Sequence, residues 1–143
     1  MENPLDRAPV TCRLLWKQWQ QNMPDSPMLL TAKERISSYK KDDWQIMVKE
    51  AYELNAYLAD LMNSKSRLDS KESEIGFDMF AEHYIKWFFP IDEEYILKLV
   101  MATQLDKKYA LFFEAQAPGL GIYLPKLLRQ YAYKLRSKPE YQK

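Results

Sequence analysis

His83 is the only histidine and Cys12 the only cysteine of the chain, and these two residues bound the chemistry it can carry. A histidine becomes a general base or a metal ligand only in company, with a second histidine or a carboxylate converging on the same face. No such companion is suitably spaced. Glu82 is adjacent in sequence, and neighbours one residue apart on a helix point in different directions. A lone cysteine makes no intrachain disulfide and no cysteine-based metal site. Cys12 therefore reads as a small buried apolar residue or an exposed bystander. No nucleophile–base pair and no paired carboxylates stand out, and three glycines leave no room for a glycine-rich phosphate loop. The expectation is a protein that is not an enzyme, with no catalytic residue, no metal site and no cofactor.

What His83 does have is aromatic company. Phe80, Tyr84, Trp87 and Phe88 lie around it at spacings of three and four residues, which gathers them on one side of a helix. Two readings are open: a core face with a satisfied histidine, or a wall on which one polar group orients a flat ligand. Glu114, beside Phe112 and Phe113, reads as a solvated carboxylate. Burial would instead raise its proton affinity and suit it to a cationic ligand.

The elements that must position these residues are helices. Trp44, Met47, Val48, Ala51, Leu54, Leu58, Leu61 and Met62 recur mostly at spacings of three and four, an apolar stripe along about six turns. Lys49, Glu50, Glu53 and Asp60 fall mostly off that stripe. Asp69, three residues before Glu72, resembles a capping box for the helix that carries His83. Pro90 ends that helix, because the residue before a proline is driven out of helical geometry. Asp92 caps a helix with Tyr95, Ile96, Leu99, Val100 and Met101, and Asp106 starts one with Tyr109, Phe112 and Phe113. Ala117-Pro118-Gly119 breaks the chain before a last helix from Leu120 to Leu135, which Pro125 should kink. Upstream, Thr11 caps a short helix ending near Gln21, Asn22 to Pro27 is a linker, and Thr31 to Tyr39 supplies one or two turns. No alternating strand pattern and no repeat appears. The fold class is all-α, with about five principal helices.

Composition narrows the partners. The 143 residues carry 21 basic and 20 acidic side chains, so no overall basic field exists to hold a polyanion, and direct nucleic-acid binding is not expected. The basic end (Lys134, Arg136, Lys138, Lys143) suits a solvated helix terminus. No apolar run reaches the ~18–20 residues of a membrane span, and no secretory signal opens the chain. A cytoplasmic protein without membrane contact is expected. Four tryptophans, ten tyrosines and six phenylalanines supply many flat faces for a core or a pocket.

Ser38-Tyr39-Lys40-Lys41-Asp42-Asp43-Trp44, then Trp87-Phe88-Phe89-Pro90, then Ala117-Pro118-Gly119-Leu120 with Tyr123 form an ordered set. It resembles the TipAS-type antibiotic-recognition domain over about two thirds of the chain. The resemblance implies a globin-like array of helices around a ligand groove, residues 31–143 being that domain and residues 1–30 an N-terminal arm with a short helix. It also implies recognition of bulky antibiotics, usually behind a MerR-type DNA-binding domain. The 37 residues ahead of the shared region are too few for that domain, so a stand-alone binder is expected. Family members often carry a cysteine just after the Trp-Phe-x-Pro block, and the thiopeptide-responsive type uses it to capture the drug. Here Ile91-Asp92 offers no thiol, which leaves reversible binding. Phe80 stands where the family has a histidine, so a more apolar groove is expected. The candidate ligand-binding set is Phe80, His83, Tyr84, Trp87, Phe88, Ile91, Tyr95, Met101 and Phe113. The ligand class is a bulky aromatic, antibiotic-like molecule, sequestered or sensed. The alternative is a protein-interaction module whose aromatic groove takes a helix of a transcription regulator.

Overall fold

The computed structural model describes residues 10–22 and 25–136, side chains from Cys12 to Gln21 and from Asp25 to Arg136. Seven α-helices and no strand occur among them: α1 Val10–Asn22, α2 Pro27–Ser38, α3 Lys41–Asn63, α4 Lys71–Trp87, α5 Glu93–Leu105, α6 Lys107–Glu114 and α7 Leu120–Tyr131. A 3-10 turn, Ala132–Leu135, follows α7. The all-α class holds, with more helices than the five principal ones expected. The extra length lies in α2, which starts at Pro27 rather than near Thr31. Ser26 caps it by accepting from the Met28 N–H at 3.2 Å, and proline is at home in a first helical turn, where its missing donor has no partner to lose.

Helix starts follow local chemistry. The Tyr95 N–H donates to Asp92 Oδ1 at 2.8 Å and the Lys108 N–H to Asp106 Oδ1 at 2.9 Å, as expected of aspartates placed just before a helix. The expected Asp69 cap is a correction. Ser70 caps α4 by accepting from the Ser73 N–H at 3.2 Å, while Asp69 pairs with exposed Arg67 at 3.0 Å. The Thr11 side chain lies outside the described residues, and α1 already includes its backbone. Pro125 sits inside α7, which continues through it to Tyr131.

Helix α7 is the centre of the assembly and packs against α3, α4, α5 and α6. Its buried face, Leu120, Leu124, Leu127, Leu128 and Tyr131, meets Leu54, Leu58 and Leu61 of α3 and Phe77 and Phe80 of α4 in one core. On α4 the buried face runs through Phe77 rather than Ile75, which is exposed. Helix α1 joins this core through Cys12, Leu15 and Trp19.

The junction of α6 with α7 depends on Glu114, which is half-buried and turned to the backbone of the next helix. Its carboxylate accepts from the Gly119 N–H at 2.6 Å and the Gly121 N–H at 3.1 Å, two of the orphan donors at the start of α7. Gly119 takes φ +94°, and a Cβ at Gly121 would sit 2.6 Å from the Ala110 carbonyl oxygen, so both positions need glycine. Glu114→Ala removes both acceptors and is expected to cost about 2 kcal/mol, read from urea denaturation. An unchanged midpoint would show that water replaces the carboxylate at no cost.

Candidate functional site

Two hollows lie on either side of an aromatic partition. The inner one, between α1, α3, α4 and α6, is lined by Cys12, Leu15, Met47, Phe80, His83, Tyr84, Phe88 and Phe113 among others, with a volume of about 80 Å³. That is smaller than the ~150 Å³ cavity that accepts a benzene ring. The outer one is a groove along α5, walled by Trp19 of α1, Met28 of α2, Tyr95, Leu99, Met101 and Leu105 of α5 and Tyr109 of α6. It encloses about 460 Å³, within the ~300–1,000 Å³ of small-molecule sites. A third hollow, near Val100, Ile122 and Arg129, has no aromatic residue in its wall.

The partition is built around Trp19. Its ring meets Phe88 and Phe89 edge-on, each with centroids 5.1 Å apart, and Tyr84 at 6.5 Å. Its indole Nε1–H donates to the Tyr95 hydroxyl at 3.1 Å. Edge-to-face contacts of this kind suit the ring quadrupoles and add to what burial supplies. Tyr95 in turn meets Phe89 at 5.2 Å. Trp19 thus forms groove wall on one side and touches inner-cavity rings on the other.

The nine candidate ligand residues fall into three groups. Phe80, His83, Tyr84, Phe88 and Phe113 share the inner cavity, with Phe80 stacked on Tyr84 at 4.6 Å. Tyr95 and Met101 line the outer groove. Trp87 and Ile91 line neither. Ile91 is fully enclosed in the core.

Trp87 is a strut. Its Nε1–H donates to Glu50 Oε2 at 2.7 Å, Lys86 Nζ lies 4.9 Å above its ring, and its carbonyl accepts from the Tyr39 hydroxyl. Tyr39 packs edge-on against Trp87 at 5.4 Å and Trp44 at 5.3 Å. Two of the three sequence blocks that carry the family resemblance therefore meet at this joint.

Glu50 was read as a residue off the apolar stripe, yet it anchors the polar cluster at the α3–α4 seam. It accepts from Trp87 and Lys86, and its Oε2 lies 3.9 Å from His83 Nδ1. Burial alone would raise its pKa, but the bonds from Lys86 and Trp87 outweigh that and hold it below the usual carboxylate value. Burial pushes His83 down to about 4, against a smaller pull upward from Glu50. The imidazole is neutral at pH 7 and sets one polar group in the inner cavity. Burial also pushes the Cys12 thiol up to about 12, which removes its nucleophilic form at neutral pH. No group of three His, Cys, Asp or Glu residues among the described ones can hold a metal ion, and no described helix is long and apolar enough to cross a membrane.

A family model, the TipAS antibiotic-recognition domain, matches residues 16–131. Neither a curated protein nor a solved structure matches the chain.

Proposed function

The chain belongs to the TipAS antibiotic-recognition domain family, and on that premise we propose that it binds a bulky aromatic small molecule reversibly in the outer groove and performs no chemistry on it. The observation that carries this reading is the groove itself, about 460 Å³ walled by Trp19, Tyr95, Tyr109, Leu99 and the flexible Met28 and Met101. Methionines adapt to ligand shape because their side chains are unbranched and polarizable. A ligand burying about 400 Å² of apolar surface gains roughly 10 kcal/mol from that burial. Association costs of at least ~4 kcal/mol then leave about 6 kcal/mol, an affinity of tens of micromolar. Tyr95 accepts from Trp19 and keeps its own hydroxyl proton to donate to the ligand. The inner residues Phe80, Tyr84 and Phe88 act through Trp19, whose ring they hold in place. In this reading the helices form the globin-like array of the family, and a cytoplasmic protein sequesters or senses the drug, leaving any DNA contact to a partner.

The test is intrinsic tryptophan fluorescence titrated with a panel of bulky aromatic antibiotics. Met101 is 58% and Leu105 81% exposed, so changing both to alanine leaves the fold intact while trimming the groove. The double variant is expected to bind about tenfold more weakly, the equivalent of about 1.4 kcal/mol of lost apolar contact. Unchanged affinity in that variant would move the ligand out of the groove.

One observation favours a second reading. Leu97, Met101 and Leu105 are all exposed and follow one another at spacings of four on α5, an apolar stripe of the kind that receives a partner's amphipathic helix. Silence across the whole drug panel, with a regulator helix bound at this stripe, would favour that reading.

A further inference from the structure

We propose that the space now filled by the Trp19 ring is a binding slot for an indole-like ring of a ligand, a fused aromatic bicycle carrying one N–H, and that α1 is a releasable plug that keeps the slot filled. This goes beyond the groove reading above, in which Trp19 stays in place as a wall. The slot is shaped by α4 and α5 rather than by α1. The Tyr84 carbonyl accepts from the Phe88 N–H at 2.8 Å and from the Phe89 N–H at 3.2 Å, which fixes both residues at the end of α4. Asp92 caps α5 and sets Tyr95 in its first turn. Tyr84, Phe88 and Phe89 then meet the indole edge-on, at interplanar angles of 70°, 70° and 73°, an arrangement that suits the ring quadrupole of any aromatic bicycle of that size. The Tyr95 hydroxyl accepts the one N–H that such a ring offers.

What holds α1 in place is a short row of side chains. Helices α3 to α7 are joined by extensive helix pairings, and α1 has none of these among the described residues. It docks through Cys12, Leu15 and Trp19, spaced by three and four along its buried face, while Arg13, Leu14, Lys17, Gln20 and Gln21 are exposed. Its first turn has no acidic residue and its last turn no basic one, so neither end draws on the helix dipole. A helix of 13 residues is marginal without a packed face. The pairings among α3, α4, α5 and α7 close the rest of the core, so that core survives the departure of α1. Hollows already flank the ring, about 80 Å³ on the inner side and about 460 Å³ on the outer, and release of α1 joins them into one aromatic-walled trough. The affinity of a slot ligand is lowered by the rarity of chains in which α1 is out.

Cys12 is the only cysteine and sits on the docked face of α1, 3% exposed, so its alkylation by iodoacetamide, followed by mass, reports α1 leaving. In the full chain the labelling rate is expected to depend only weakly on urea below the unfolding transition, because undocking one helix exposes little surface. Indole is expected to speed labelling several-fold. The probe 1-methylindole has no N–H for Tyr95 and should need about tenfold more concentration for the same effect. Tyr95→Phe keeps the ring and removes the acceptor; it should raise the rate without ligand and bring the two probes to parity. A merely loosened fold would raise the rate and leave the difference between the probes. Labelling that rises with urea as steeply as global unfolding would overturn the plug. An unchanged or slower rate with indole would overturn the slot, and parity of the two probes in the unaltered chain would overturn the N–H assignment. The groove reading is decided separately, by the antibiotic panel and the Met101→Ala and Leu105→Ala changes, and survives any of these results.

Discussion

Trp19→Ala is expected to lose about 3–5 kcal/mol of stability, the range for deleting a large buried ring. Three losses add together at this one position. The ring is 3% exposed, so its apolar area is almost wholly buried. Its edge-on contacts with Phe88 and Phe89 disappear. The Tyr95 hydroxyl loses the donor that now satisfies it, inside a site where an unpaired polar group is costly. A small domain has only about 5–15 kcal/mol in total, so the variant would sit near the edge of folding. Urea denaturation followed by circular dichroism measures the loss. Trp19→Phe separates the causes, because it keeps a ring against Phe88 and Phe89 and removes the indole donor. Its expected cost is about 1–2 kcal/mol. Equal losses in the two variants would mean that the hydrogen bond, rather than the ring packing, holds α1 to the core. The ligand consequence follows from the same geometry: without the indole, the inner cavity and the outer groove become one space, and a bulky ligand loses a wall.

The helices were largely legible because their signals are local. Asp92 and Asp106 cap α5 and α6 as expected of aspartates just before a helix, and the spacing of three and four along α3 put Trp44, Met47, Leu54, Leu58 and Leu61 inside. Pro27 misled because a proline reads as a breaker, whereas at a helix start it costs nothing. The candidate site was legible only as a face. Phe80, His83 and Tyr84 of α4 and its C-cap Phe88 do share a cavity wall, as their spacing of three and four suggests. Periodicity could not tell that Tyr95 and Met101 of α5 open into a different hollow, because the wall between the two comes from Trp19, which is 76 residues away from Tyr95. Glu50 and Glu114 were missed for a related reason. Each carboxylate looks solvated on its own helix, and its partners arrive with the next one: Trp87 and Lys86 from α4 for Glu50, the Gly119 and Gly121 amides for Glu114. Tyr109 was visible as an aromatic on a short helix, with nothing in the sequence to place it in the wall of the outer groove.

Acid should destabilise the protein well above the pH at which its carboxylates titrate, and His83 is the reason. In the unfolded chain the imidazole titrates near 6.5, while in the fold burial pushes it down to about 4. Between those two values the unfolded chain binds a proton that the folded one refuses, so stability falls as pH drops through that window and is constant above it. At about 1.4 kcal/mol per pH unit, the loss comes to roughly 3 kcal/mol at pH 4. Burial sets the direction, and the charged groups that face His83 only adjust it. Glu50 on α3, 3.9 Å away, favours the protonated ring, and Lys86 on α4 opposes it. Neither outweighs burial against Tyr84 and Phe88, whose rings meet the imidazole edge-on at 6.1 and 6.4 Å. Glu50 contributes with the same sign but in a lower window, because its carboxyl is held below the ordinary value. The stability that it adds is present near neutrality and is lost only as pH falls through its folded pKa. His83→Gln should therefore flatten the stability profile between about pH 6.5 and 4.5 and keep the steeper fall beneath it. Denaturation midpoints at pH 7 and pH 4.5, compared for the two proteins, measure the difference. A slope of the same size in the variant would mean that His83 takes its proton in the folded state despite its burial against Tyr84 and Phe88.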